Sequence, residues 1–299
     1  MRNWLQLIRW QNLLLIILTQ FLIYYKLFSS ISTSNSIVFY DVCLFIICTI
    51  IIAISGFVIN DICDIPNDFI NKSSNKWIIG NTINIPDAIT FYYSISLIGG
   101  IIAMYLSIKY EFYYSYLLYP ISVYLFWIYS KYLKCSSFFG NIFVSLFISG
   151  VVLIMAFLFS AELELLKVSD FHKCTMIWQK IIVLSIFAFL ANMFREIIKD
   201  IEDEYGDKIA GCKTSPVRFG INFCKWVGVC VLVVLLKFGI GQLILMENDF
   251  SKVAFFIVII FPPIGLGYML LVKKRYYIST ISNVTKIYMA MGLLYLILT

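Results

Sequence analysis

The sequence predicts an all-α, polytopic membrane protein of about nine transmembrane helices, arranged as two pseudo-repeated bundles around a central cavity with a polar cytoplasmic cap. Three observations predict it. Of 299 residues, 61% are hydrophobic and only 13% charged, with a mean hydropathy of +0.90, which is too apolar for a water-soluble domain of that length. The apolar residues come in runs of about twenty, the length over which a helix crosses a bilayer with its backbone bonded internally. Basic residues gather on alternate connections between the runs.

In chain order the runs centre near Ile17, Cys48, Leu97, Val123, Ser149, Leu184, Leu235, Ile260 and Leu293. The first follows Arg2 and Arg9 and has no small-residue cleavage site after it, so it reads as a retained helix rather than a signal peptide. The third and fourth are parted only by the stretch KYEF, and the seventh contains Lys237 and several glycines; these are the weakest of the runs. With a cytoplasmic amino terminus, about fourteen lysines and arginines fall on cytoplasmic connections against five on the other side, Lys26, Lys109, Lys167, Lys173 and Lys252. The formal net charge of +6 is spread along these loops without a basic run, which points to membrane topology and not to nucleic acid. A single domain spanning residues 1–299, integral to the cytoplasmic membrane with its working face towards the cytoplasm, is therefore expected.

Composition narrows the chemistry. The eight cysteines are scattered, mostly in apolar runs, with no C-x-x-C pair, so they read as buried apolar side chains and neither disulfides nor zinc is indicated. The one histidine, His172, lies in a polar connection, which removes histidine triads and histidine metal sites from consideration. Catalysis must use carboxylates, cations and hydroxyls.

Two acidic segments supply the carboxylates. After the second run comes NDICDIPND, and after the sixth REIIKDIEDEYGDK. Asp61, Asp64 and Asp68 are spaced i, i+3, i+7, and Asp200, Asp203 and Asp207 repeat that spacing. Residues so spaced share one face of a helix. Pro66 lies inside the first segment and would kink or end a helix there, turning Asp68 away from Asp61 and Asp64. Carboxylates aligned at the edge of a low-dielectric slab repel one another strongly and need positive charge. Arg195, Lys199 and Lys208 share the second segment, but the first has only Lys72 and Lys76 nearby in sequence. A hard divalent cation suits both, and Mg2+ is commonly held by one or two carboxylates while it bridges to phosphates. Two such faces together would receive a diphosphate whose hydrocarbon tail lies among the apolar helices.

Other readings exist. A lone acidic loop between membrane helices is usually a solvated turn, but a pair with matching spacing at helix ends on one side of the membrane is not explained that way. A cation-coupled transporter would place its carboxylates nearer the membrane midplane, on broken helices.

The motifs resemble those of the UbiA-type intramembrane prenyltransferases, whose first signature is N-D-x-x-D-x-x-x-D and whose second is an aspartate-rich D-x-x-x-D segment. IRWQNLLLIILTQ is similar to the family's opening R-P-x-N segment, with Gln11 beside Asn12 and no proline. YSKYLKCSSFFGN is similar to its tyrosine-to-lysine segment, carrying Tyr129 and Lys134 and followed by Gly140 and Asn141. The second acidic segment most resembles the branch that includes digeranylgeranylglyceryl phosphate synthases. One departure is NKSSNK after the first motif, where the family often has N-K-P-x-R; Ser73 replaces the proline and Lys76 is the candidate basic residue.

The resemblance implies a Mg2+-dependent transfer of a prenyl group from an isoprenyl diphosphate to a hydrophobic or amphipathic acceptor within the membrane. Asp61, Asp64, Asp68, Asp200, Asp203 and Asp207 become the candidate metal shell. Asn60 is a candidate phosphate contact, and Arg9, Asn12, Tyr129, Lys131, Lys134, Arg195, Lys199 and Lys208 are candidates to bind substrate. Aromatics near the cytoplasmic helix ends, Tyr129 and Tyr132, are candidates to face the developing allylic cation. The branch points to a glycerol-phosphate ether lipid acceptor attacking through a hydroxyl. An aromatic acceptor of the hydroxybenzoate or dihydroxynaphthoate type, attacking through ring carbon with its carboxylate on an arginine such as Arg9, stays open.

Overall fold

The computed structural model describes residues 2–31, 37–65, 78–111, 115–272 and 277–298. Apart from an isolated bridge between Ile79 and Ile83, the regular structure among them is helical. In chain order these helices are α1 (Arg2–Leu7), α2 (Trp10–Ile23), α3 (Phe39–Cys63), α4 (Ile85–Lys109), α5 (Ser115–Ile128), α6 (Phe139–Leu158), α7 (Ser160–Ser169), α8 (Phe171–Ile209), α9 (Ser215–Phe219), α10 (Ile221–Leu245), α11 (Asp249–Phe255), α12 (Phe261–Val272), α13 (Ile278–Met291) and α14 (Tyr295–Leu298).

Eight of the expected spans are long and apolar enough to cross a membrane: Trp10–Phe28, Phe39–Cys63, Ile85–Lys109, Phe139–Leu158, Phe171–Ile209, Ile221–Leu245, Asp249–Val272 and Ile278–Leu298. The fourth expected run falls short. Its helix, α5, covers 14 residues, SYLLYPISVYLFWI, in which tyrosine, serine and Pro120 dilute the aliphatic residues. Beyond it the chain enters a π turn, Tyr129–Leu133, that contains Lys131. Eight of the nine expected runs therefore meet that length and hydropathy among the described residues.

The chain divides into two units, one of residues 1–21 and 34–134, the other of residues 22–33 and 135–299. In the first, α3 packs along α4 and α5 over a core that includes Leu7, Leu13, Ile54, Val58, Ala88 and Tyr92. Much of α4 faces outward with large apolar side chains, Leu97 and Ile101 among them, as a lipid-facing helix must. Polar contacts that an apolar solvent cannot disrupt tie the three helices. The Ser55 and Ser96 hydroxyls lie 2.9 Å apart, and the Tyr119 hydroxyl donates to the Ser96 carbonyl at 2.9 Å. Gly99 makes that approach possible, because a Cβ there would collide with the Tyr119 hydroxyl and with Ile51. Gly99→Val should therefore lower stability by about 1–3 kcal/mol, as overpacking does, read as a lower melting temperature in detergent. At the opposite end of α3, buried Asp41 accepts from Lys109 Nζ and from the Tyr110 hydroxyl, each at 2.6 Å. Burial and that bond push the Tyr110 phenol up to about 12.

In the second unit α8 is the central helix, and α6, α10 and α13 pack on it. Pro263 has no N–H to give the carbonyl of Ile259 four residues earlier. The chain meets this with a π turn, Phe256–Ile260, and the buried Tyr288 hydroxyl donates to Ile259 O at 2.9 Å. Gly292 lies under Phe187, where a Cβ would collide with the ring.

One sequence expectation fails here. Cys135 and Cys212 form a disulfide, with their Cα atoms 4.6 Å apart. The residues beside them are also joined: Lys213 N–H donates to Cys135 O at 2.9 Å, Ser137 Oγ to Lys213 O at 3.0 Å, and Phe138 N–H to Ser215 Oγ at 2.8 Å. A separation of 77 residues hides the pair from any spacing rule. Digestion without reductant should yield the two cysteine peptides linked. Cys135→Ser should cost stability on the order of 2–4 kcal/mol, as loss of a cross-link closing a long loop does.

Candidate active site

The first acidic segment lies at the carboxyl end of α3. The apolar turns holding Val58 and Ile59 are buried, and the helix runs on to Cys63, where the Asp64 N–H closes the last turn on Asn60 O at 3.0 Å. Asp61 and Asp64 project from this end, with side chains 20% and 13% exposed. Asp68, Pro66, Lys72 and Lys76 lie outside the described residues.

The counterions of this segment come from far along the chain. Arg9 sits at the break between α1 and α2 with φ of 50°, a left-handed conformation costly for a residue with a side chain. From there Arg9 Nη2 donates to Asp61 Oδ1 at 2.9 Å, and the guanidinium lies over the Phe57 ring at 4.9 Å. Asn12 begins its turn of α2 on the same residue, its N–H bonded to Arg9 O at 2.8 Å. Lys134 follows the π turn Tyr129–Leu133 and donates its N–H to Tyr129 O at 2.9 Å. Its ammonium pairs with Asp64 Oδ2, which also accepts from Asn60 Nδ2 at 3.0 Å. Among the described residues, Arg9 and Lys134 are the cations that pair with Asp61 and Asp64. Lys131 takes a different position, over the rings of Trp127 at 4.9 Å and Tyr132 at 5.3 Å.

In the second unit, α8 is 39 residues long, roughly 58 Å at 1.5 Å per residue. That exceeds the roughly 30 Å hydrocarbon core, so its last polar turns extend past what a span requires. These turns carry Asp200, Asp203 and Asp207 on one continuous helix, as the spacing predicts. Asp200 Oδ2 accepts from Asn141 Nδ2 at 2.9 Å, and Asp207 Oδ2 from Thr214 Oγ1 at 2.9 Å. Asp203 and Lys208 are exposed. Arg195 Nη1 donates to Glu196 Oε1 at 2.7 Å, and Lys199 Nζ lies 4.0 Å from Glu196 Oε2.

Glu196, Asn141 and Thr214 were not singled out as site residues from sequence. Glu196 offered a signal, being one turn before Asp200, and so did Asn141, which closes the family-like segment YSKYLKCSSFFGN; Thr214 offered none until the fold brought it in. Among the described residues no three carboxylate, histidine or cysteine side chains converge on one point. The donors in each unit are hard carboxylate oxygens, in ones and twos, with cations beside them.

The protein is thus helical, with eight membrane-length helices among the described residues and an acid-and-cation cluster at a polar helix end in each unit. The model of the UbiA prenyltransferase family matches residues 13–292, and the chain belongs to that family; it is a prenyltransferase. A digeranylgeranylglyceryl phosphate synthase from Methanosphaera stadtmanae is 28% identical over 255 residues, 85% of each chain. Matches to further relatives of that name extend over as little as 54% of their length. Among solved structures, one of a digeranylgeranylglyceryl phosphate synthase aligns with a TM-score of 0.66 at 22% identity, covering 99% of this chain and 96% of that one. A UbiA homolog from Archaeoglobus fulgidus bound to DMAPP and Mg2+ aligns with a TM-score of 0.59 at 16% identity, covering 97% of each chain. At these identities the structural likenesses establish the fold.

Proposed function

We propose that the chain transfers a prenyl group from an isoprenyl diphosphate to a glycerol-phosphate ether lipid, forming a second ether bond at the cytoplasmic face of the membrane, with Mg2+ as cofactor. The observation that carries this reading is the pairing within each acidic segment. Asp61 and Asp64 stand against Arg9 and Lys134, and Asp200 shares its helix with Arg195 and Lys199. A diphosphate bound through metal on the carboxylates would meet those cations directly. The name of the archaeal relatives supports the lipid acceptor, and the Mg2+ and DMAPP of the Archaeoglobus fulgidus homolog support the donor and metal.

The donor set fits magnesium. That ion takes oxygen ligands, dehydrates reluctantly, and is usually held by one or two carboxylates together with substrate phosphates rather than by an all-protein cage. Asp61 and Asp64 on one segment and Asp200, Asp203 and Asp207 on the other would hold it; Asp68 joins them by motif. When bound, the metal supplies Lewis-acid stabilisation of the leaving diphosphate.

The residues of the chain do the rest. Arg9, Lys134, Arg195 and Lys199 bind diphosphate oxygens and stabilise the charge that grows as the allylic C–O bond breaks and its electron pair leaves with the diphosphate. The acceptor hydroxyl oxygen forms the new bond to the allylic carbon and gives up its proton. Apolar helix walls keep water from capturing the allylic cation, and the Tyr129 ring near the helix end is the aromatic candidate to face it, since Tyr132 is exposed with Lys131 over its ring.

Mass spectrometry of the product tests this reading. Purified protein supplied with isoprenyl diphosphates and a panel of acceptors should attach the prenyl group to the hydroxyl of the glycerol-phosphate lipid. Prenylation at ring carbon of an aromatic acid instead would assign the enzyme to quinone precursors, and metal-dependent flux with no covalent product would make it a transporter.

A further inference from the structure

Asp200 is held differently from the carboxylates of the first segment. Asp61 and Asp64 each accept from a cation, whereas Asp200 Oδ2 accepts from the neutral amide of Asn141 at 2.9 Å. Asn141 stands in the first turn of α6, 6% exposed. Its carbonyl accepts from Ser145 Oγ at 2.7 Å, and Ser145 Oγ accepts from Asn192 Nδ2 at 3.2 Å. Asn192 and Asp200 are eight residues apart on α8, hence on one face. Asn141 and Ser145 on α6 therefore engage α8 at two points on that face, and the upper point is a motif carboxylate. Ser145 is 0% and Asn192 2% exposed. Buried polar groups in apolar helices are costly unless satisfied, and a partly satisfied set is worse than an apolar one.

The chemistry of the bond matters as much as its position. A cation would compete with a metal for Asp200; an amide fixes one oxygen without adding charge. That is how groups behind metal ligands act, by fixing the ligand and tuning its basicity. We propose that Asn141 is a positioning residue, holding Asp200 in the orientation in which it takes the metal-bound diphosphate. This rests on the diphosphate reading above.

The test uses full-length protein in detergent, with Mn2+ as probe and a prenyl thiolodiphosphate that cannot ionise as ligand, bound Mn2+ being read by electron paramagnetic resonance. Asn141→Leu keeps the volume and removes the donor; it should weaken Mn2+ binding about 10- to 100-fold, the range found when a residue behind a metal ligand is removed. Asn141→Gln restores an amide and should recover most of that loss, while the KM for acceptor stays unchanged in all variants. A bond that merely glues the helices would instead lower the melting temperature of Asn141→Leu and leave its Mn2+ affinity unchanged, which overturns the proposal. If Asn141→Leu does not fold, Asn141→Ala carries the same comparison. Asp200→Asn is the control. Weak binding by Asp200→Asn with unchanged binding by the Asn141 variants defeats this inference alone. Undiminished binding by Asp200→Asn, or none by the unmodified protein, defeats the diphosphate reading and this inference with it.

Discussion

Asp64→Ala and Asp200→Ala should each lower turnover by at least about a hundredfold, equivalent to roughly 2.7 kcal/mol of lost transition-state stabilisation. The expectation follows from where charge develops. As the allylic C–O bond breaks, negative charge accumulates on the departing diphosphate, and groups aimed at that charge in a water-poor site contribute more than they would in solution. Asp64 has a second duty, since its Oδ2 is the shared acceptor for Lys134 and Asn60; without it, two donors lose their anchor. The cost to folding should be much smaller than the cost to turnover. Lys134 is 35% exposed, so an ammonium left unpaired can be solvated. Turnover and melting temperature measured on the same preparation check this. A loss under threefold, or a loss matched by unfolding, would remove Asp64 from the site.

Removal of divalent cations should have an equally large effect. Chelation should reduce turnover to background, and added Mg2+ should restore it. Arg9 and Lys134 bring positive charge to the first segment, but a prenyl diphosphate carries several negative charges of its own. Bringing it against the motif carboxylates of either segment, Asp61 and Asp64 or Asp200, Asp203 and Asp207, without added positive charge would set like charges together in a low dielectric. Turnover that persists in excess chelator would show that the cations alone suffice.

The fold was largely legible because the bilayer imposes a length. Runs of about twenty apolar residues stand out in any composition, and eight of them were placed within their helices. The fourth run is less apolar than it first reads because its aromatic residues count as hydrophobic, while its tyrosines and Pro120 dilute the 14-residue helix that ends in a π turn. The second acidic segment was legible as one face of a helix because its three aspartates obey the period of α8.

Partnerships across the sequence were not legible. Asp61 is 52 residues from Arg9, Asp64 is 70 from Lys134, and Asp200 is 59 from Asn141. No periodicity links such positions; only packing does, of α1 on α3, of the π turn Tyr129–Leu133 on α3, and of α6 on α8. Local sequence offered the first segment only Lys72 and Lys76 as countercharge, and tertiary structure brings in a left-handed arginine and a lysine beyond a π turn. The Cys135–Cys212 disulfide was hidden for the same reason.

The most direct measurement is a structure of the protein in lipid with Mg2+ and a prenyl thiolodiphosphate. It should show motif carboxylates, Asp64 and Asp200 among them, coordinating metal on bound diphosphate. A diphosphate bound with neither Asp64 nor Asp200 on its metal would contradict the account.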